Sequence, residues 1–381
     1  MTPIAQTVPE YLTSDEEELV GTARFVGMAG AMTAVGADPS AVKLNPAGLG
    51  VYRRSQFSFT ADGAFRQFSP ETERYGYLYN RWHCSQVSYV FAVGDPNTLS
   101  GAVFNNLMIS YARRADYLRS LTIYDPANTR CIELAESGWR HDVDLHYAMN
   151  VSNRFYWGLG MTLEFLRLDQ KIAYHDLSYH RKLTDNDYAN GVGWGAAFGF
   201  IYRPVKAFRF AASVESPILG GYNHSYFYWD DTDSSNFTSI TTRTRDQLRT
   251  PVKATAGMAF QCADVAIISL QYDMTYHDYW RDIVDPGGKG FNHTGRVGID
   301  VLAGPVQINA GYAYSARYSR QHASAGLGYA GRYIRLNAAY TCCWQKGLLY
   351  WRDQDTGYYQ GNFGVAKQIE HKIILTFQWN S

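Results

Sequence analysis

HDVDLHYAMNVS, from His141 to Ser152, alternates without a break. Val143, Leu145, Tyr147, Met149 and Val151 share one side of an extended chain. Asp142, Asp144, His146, Ala148 and Asn150 share the other. Side chains of a strand point alternately to opposite faces, so a period of two marks a strand with one apolar and one polar face. A sheet that buries its apolar face in protein seldom carries so many lone charges on the other. A barrel in lipid accounts for both faces, apolar outward and polar toward the lumen.

The same period recurs along the chain. In DVAIISLQYDMTYHDYW (264–280), Ala266, Ile268, Leu270, Tyr272, Met274 and Tyr276 oppose Ser269, Gln271, Asp273, Thr275 and His277. In HKIILTFQW (371–379), Ile373, Leu375, Phe377 and Trp379 oppose Lys372, Ile374, Thr376 and Gln378. Such runs predict about 14 strands, at 54–66, 82–93, 101–115, 139–152, 154–173, 190–203, 206–224, 241–260, 262–280, 290–302, 305–317, 320–329, 332–344 and 369–380. Tight connections at Val151–Arg154, Arg203–Lys206 and Ala303–Pro305 alternate with long polar ones at 174–189, 225–240 and 345–368. Short turns at one end and long loops at the other suit an outer-membrane barrel. A soluble β-sandwich or propeller also alternates and is the competing architecture.

Composition agrees. The chain has 381 residues, with Lys+Arg and Asp+Glu both 35, so its formal net charge is zero and gives no electrostatic case for nucleic-acid binding. Its 30 Tyr, 9 Trp and 34 Gly suit β-structure with tight turns and interfacial aromatic belts. No apolar run approaches the ~18–20 residues of a membrane-spanning helix. A mean hydropathy of −0.30 is compatible with strands that are apolar on one face only. The five cysteines, Cys84, Cys131, Cys262, Cys342 and Cys343, have no CxxC spacing. The start, MTPIAQTVPEYL, lacks a basic region followed by an apolar one and is read as lying near a processed N-terminus.

Motifs for chemistry are sparse. GLGYAG (Gly326–Gly331) matches a dinucleotide fingerprint, but the strand-like RYIRLNAAY follows where a helix is needed, so it reads as a glycine-rich hairpin. His141 and His146 flank Asp142 and Asp144, and lumen-facing polar residues are expected there without a metal. Asp144, Glu164, Asp273 and Asp300, with Arg209, Arg296 and Arg335, are expected to form a charge network in the lumen. An outer-membrane lipid hydrolase would need a Ser–His pair near one rim, and none is evident. No cofactor and no enzymatic activity are expected.

Residues 1–53 break the pattern. Ser14 or Asp15 offers a helix cap, Gly21 to Ala34 is built from small residues, and DPSAVKLNPAGLG (Asp38–Gly50) reads as one capped helical turn ended by Asn45, Pro46 and Gly48. Small residues permit close backbone approach, so this segment is expected to pack inside something.

That block, GTARFVGMAGAMTAVGADPSAVKLNPAGLG (Gly21–Gly50), resembles the N-terminus of the FadL/TodX family of outer-membrane channels for long-chain fatty acids and other hydrophobic molecules. YAMNVSNRFYWGLGMTLEFL (147–166), FGFIYRPVKAFRFAASVESP (198–217) and TPVKATAGMAF (250–260) resemble family strand segments. The resemblance implies a 14-stranded barrel (54–381) plugged by an N-terminal hatch (1–53), with Asn45, Pro46 and Ala47 as the hatch turn. It implies a monomer in outer-membrane lipid, a hydrophobic ligand such as a fatty acid, hydrocarbon or detergent, and lateral exit at a kinked third strand. In GAVFNNLMISYARRADY (101–117), the apolar parity changes from Ala102 and Phe104 to Leu107, Ile109 and Tyr111, which predicts the kink as a bulge at Asn105 or Asn106. A non-transporting structural or adhesive barrel is the alternative.

Overall fold

The computed structural model describes residues 19–70, 77–93, 103–117, 119–124, 129–178, 181–231, 238–249, 251–263, 265–277, 290–316, 319–352 and 359–381. It is a closed antiparallel β-barrel of 14 strands. In chain order they are β1 (Gln56–Pro70), β2 (Tyr77–Val93), β3 (Val103–Asp116 and Arg119–Tyr124), β4 (Arg130–Val151), β5 (Phe155–Asp176), β6 (Arg181–Val205) and β7 (Phe208–Glu215 and Leu219–Asp231). Then follow β8 (Thr238–Arg249 and Val252–Cys262), β9 (Ala266–His277), β10 (Gly290–Ala303), β11 (Val306–Ser315), β12 (Arg320–Ala330), β13 (Ile334–Arg352) and β14 (Tyr359–Asn380). Three strands are interrupted, and each interrupted pair of segments follows one path in the wall. The ring closes by pairing β1 with β14, from Gln56↔Asn380 to Pro70↔Ala366.

The two faces are as the alternation predicts. Leu145 and Leu270 are 51% and 42% exposed on the outside, while Asp144 and Gln271 are 1% and 5% exposed within. On β5 the outward residues Phe155, Leu159, Met161, Leu163 and Phe165 are apolar and exposed, and Arg167, Asp169 and Lys171 follow them. About ten tilted residues cross a bilayer, so this apolar band is one membrane thick and the strands run on past it. That explains the main departure from expectation. Stretches predicted as long loops, 174–189, 225–240 and 345–368, are largely strand, and β6 reaches 25 residues. Beyond the hydrocarbon both faces meet water, so no apolar alternation marks the strand. GLGYAG lies on β12 and the turn after it, followed by β13, not a helix.

Residues 19–53 fill the ring. Thr22 caps α1 (Ala23–Gly27) by accepting from the Phe25 amide. Asp38 caps α2 (Pro39–Leu44), with Pro39 at the first position, where its missing N–H costs nothing. Asn45 ends α2 and caps a 3₁₀ turn, Pro46–Val51. Phe25, Val26, Met28, Met32 and Val35 pack against the inward residues Tyr156, Ile201, Ala211, Ala339 and Ile374. On another side, Val42, Leu49 and Tyr52 pack against Val90, Met108 and Ala148 of β2, β3 and β4.

Candidate functional site: the hatch and the seam beside it

Polar contacts tie the hatch to the wall around the ring. Arg24 Nη2 meets Asp300 Oδ2 at 2.7 Å on β10. Lys43 Nζ reaches Asp144 Oδ1 at 2.6 Å and Asp142 Oδ2 at 3.1 Å on β4, and Thr162 Oγ1 at 2.5 Å on β5. Burial alone would lower the Lys43 pKa, but the two carboxylates outweigh it and hold it above its ordinary value. Ser40 Oγ donates to Gln86 Oε1 at 2.6 Å on β2, and the Thr33 amide to Gln271 Oε1 at 3.0 Å on β9. Arg209 and Arg296 donate to the backbone oxygens of Val35 and Ala29, at 2.7 and 2.9 Å. Of the expected charge network, Asp144, Asp273 and Asp300 each hold a cation, Glu164 faces Arg140, and Arg209 serves the hatch instead of an acid.

Asn45, Pro46 and Ala47 sit together against β5 and β6. Asn45 is fully buried; its Oδ1 accepts from the Ala47 amide at 3.1 Å. Its Nδ2 donates to Thr33 O at 3.1 Å within the hatch and to Phe200 O at 3.2 Å on β6. Two wall glycines admit this turn. A Cβ on Gly158 would stand 2.5 Å from the Pro46 carbonyl carbon, and one on Gly199 would stand 2.0 Å from Asn45 Oδ1. Gly158→Val is therefore expected to displace the turn at a cost of about 1–3 kcal/mol, typical of overpacking. Hydrogen exchange at the Ala47 and Gly48 amides should accelerate about ten- to hundredfold at that cost. Unchanged exchange would show that the wall yields instead.

The expected kink at Asn105 or Asn106 is not present. Val93↔Asn105↔Met149 and Ala92↔Asn106↔Ala148 are unbroken rungs. The parity does not change, because Phe104 faces inward, 6% exposed, beneath the Arg53 guanidinium 4.9 Å away. Ala102 lies outside the described residues. Asn106 instead holds the hatch, its Nδ2 donating to Leu49 O at 2.7 Å and Tyr52 O at 3.1 Å. Asn105 accepts from Tyr147 Oη at 2.8 Å.

The break in β3 comes further out. Pairing of β2 with β3 stops at Gln86↔Ala112. Past it, the rest of β2 pairs with β1, and Arg113–Asp116 and Arg119–Tyr124 of β3 pair with β4. The β3–β4 register shifts between Arg113 and Ala115, which makes Arg114 the extra residue of a bulge; its Nε donates to Asp142 Oδ2 at 2.8 Å. At the interruption the Tyr117 amide donates to Gly138 O at 3.2 Å. Gly138 has φ +143°, a conformation open to glycine, and a Cβ there would stand 2.2 Å from Arg167 O.

A seam without backbone pairing therefore opens between β2 and the outer part of β3. Side chains bridge it at Asp116. His83 Nε2 lies 3.0 Å from Asp116 Oδ2, and Arg113 and Arg81 lie 3.0 and 3.8 Å from Oδ1. Arg66 reaches from β1 to donate to Asp116 O at 2.8 Å, while its Nε contacts Glu370. Inside the barrel near the break, Tyr117 packs on Leu166, Leu168 and Ala189 with Ile218. Ile218 comes from the interruption of β7 and covers Gly193 and Gly195. Two wall interruptions thus supply apolar side chains to one inward patch. Asp116, Tyr117 and Gly138 could not be picked out in sequence, because the bulge that assembles them is charged and breaks no apolar pattern.

No family model and no curated protein sequence matches the chain. Solved structures do. A Pseudomonas aeruginosa FadL homologue superposes with TM-score 0.68 at 14% identity, over 96% of this chain and 99% of that one. The P. putida toluene transporter TodX gives 0.61 at 13%, over 96% and 99%. The Ralstonia pickettii toluene transporter TbuX gives 0.63 at 14%, over 95% and 99%. The chain has the fold of these FadL-type outer-membrane channels over nearly its full length.

Proposed function

We propose that this protein is an outer-membrane channel for hydrophobic small molecules, with residues 1–53 as its plug and 54–381 as its wall. A molecule enters the outer lumen, collects on the patch of Tyr117, Leu166, Leu168, Ala189 and Ile218, and leaves sideways through the seam between β2 and β3. The observation that carries this reading is the seam, which begins at the outer edge of the apolar band and lies beside the patch. A wall gap there lets an apolar solute leave at the boundary between the apolar band and the headgroups, without crossing the hydrogen-bonded hatch. Solved structures of the same fold are described as toluene transporters and a monoaromatic hydrocarbon channel, which supports an apolar solute. Long-chain fatty acids belong to the same class, and the reading assigns no catalytic residue, no cofactor and a monomer. One observation favours a non-transporting barrel instead: inward charges such as Arg66 with Glu370 and Arg140 with Glu164 fill the lumen in pairs.

Cross-linking separates the two. In a chain whose five cysteines are replaced, His83→Cys and Asp116→Cys are joined by a cleavable bifunctional maleimide. Toluene or fatty-acid entry into vesicles is expected to stop on cross-linking and return on cleavage. Entry at an unchanged rate with the seam closed would overturn the lateral route, and no entry in either state would favour the non-transporting barrel.

A further inference from the structure

Four tyrosines on the outside of the barrel repeat one arrangement among the described residues. Tyr111 Oη lies 2.6 Å from His141 Nδ1 on the neighbouring strand. Tyr272 and His293 repeat it at 2.6 Å, and Tyr340 and His371 at 2.6 Å. In the fourth pair Tyr312 Oη donates to Gln321 Oε1 at 2.7 Å. Each partner sits diagonally across the ladder, two residues nearer the long-loop end than the residue opposite the tyrosine.

The pairs lie at one level. Tyr340 joins through Ala325 to Ala310, two residues before Tyr312. Tyr312 joins through Val297 to Leu270, two residues before Tyr272. An advance of two residues per two strands is the stagger that holds height constant on tilted barrel strands. The same stagger carries Tyr272 by way of Val214 and Met161 to Tyr111, so the Tyr111 pair joins the level, and its His141 pairs with Phe165, the last apolar outward residue of β5 before Arg167. On β5 the belt therefore lies at the outer edge of the apolar band, and on β10 and β14 one further apolar residue, Phe291 and Ile369, stands beyond it.

Its chemistry is uniform. A phenol O–H is a stronger donor than an imidazole N–H, and imidazole the stronger acceptor, so Tyr Oη donates to Nδ1 and the imidazole proton sits on Nε2, which has no other partner among the described residues in His141, His293 or His371. In Gln321 the tyrosine takes the amide oxygen and leaves the NH₂ group. Histidine and glutamine share one property here: tyrosine occupies their acceptor atom and leaves an N–H directed away from it. A row of bare donors on β4, β10, β12 and β14 fits a group that only accepts, and of a lipid's two such groups, the ester carbonyls and the headgroup phosphate, the charged phosphate takes N–H donors more strongly. The geometry points to a phosphate-binding belt that holds phospholipid headgroups at the outer rim.

Native mass spectrometry of the barrel from maltoside micelles tests this, with phosphatidylglycerol or phosphate-free diacylglycerol as probe. The protein is expected to retain phosphatidylglycerol over diacylglycerol. His293→Phe with His371→Phe keeps the rings but removes the donors, and should cut phosphatidylglycerol retention roughly threefold or more, as loss of modest hydrogen bonds does. His293→Gln with His371→Gln should restore it, as Gln321 does naturally. Assembly is checked by heat-modifiable migration, and His371→Phe alone is measured if the pair does not assemble. Equal retention of both probes, or phosphatidylglycerol retention unchanged by Phe, overturns the proposal.

Discussion

Lys43→Met is expected to unseat the hatch. Its ammonium is the hatch cation that meets Asp142 and Asp144, and Thr162 completes its shell. Removing one partner of a buried pair costs about 3–5 kcal/mol, because the charge left behind is uncompensated. Arg114 stays close to both acids, 2.8 Å from Asp142 and 3.7 Å from Asp144, so the low end applies, about 3 kcal/mol. The wall does not depend on this contact, since β4 and β5 pair along their whole length. The variant should assemble as a heat-modifiable barrel yet show raised conductance in planar bilayers. Adding Asp144→Asn should recover part of the loss, as coupled sites do. Conductance equal to that of the unaltered protein would mean that Lys43 does not hold the plug, and strict additivity would mean that the pair is not coupled.

Leu145→Arg and Leu270→Arg are expected to be the most damaging changes on the outer face. Both side chains stand exposed within the apolar band. An arginine near the midplane of a lipid-facing strand costs about 2–4 kcal/mol. Thr275→Lys, inward on the same strand as Leu270, places its charge in the polar lumen and should cost about 1 kcal/mol or less. Urea unfolding from lipid vesicles measures the difference. Equal penalties on the two faces would refute the assignment of outside and inside. Gln271 and Asp144 are poor inward controls, because the hatch binds both.

The sequence was most legible where one face meets hydrocarbon. In β4 the alternation from Asp142 to Val151 reports burial directly, since lipid and lumen demand opposite side chains at successive positions. It was least legible where a third environment intervenes. Phe104 and Met108 are apolar yet point inward, because the hatch covers that part of the wall; read as lipid-facing, Phe104 produced a false parity change. Outside the membrane the signal fades, and the residues from Arg181 to Ala189 gave no sign that β6 begins before the predicted 190. The helix end at Asn45 and Pro46 could be read because a capped turn is local chemistry, whereas a hatch role for Asn45, Pro46 and Ala47 came only with the family resemblance. Lys43 and Arg24 could be seen as charges in a small-residue segment, but their partners lie 101 and 276 residues away. Pairings over such distances leave no trace in one chain read alone.

The closure of β1 on β14 has a kinetic consequence. The Ala23 amide donates to Thr376 Oγ1 at 2.8 Å, across 353 residues, and Arg66 of β1 meets Glu370 of β14. Contacts this distant in sequence form late, since the entropy of closing the loop must be overcome first. β14, which follows the other described strands in the chain, therefore completes both the wall and the seat of α1, the first described helix. Assembly is circular in time as well as in space: Ala23 and β1 wait, unsatisfied, for β14, and a chain cut short of β14 lacks a partner for both.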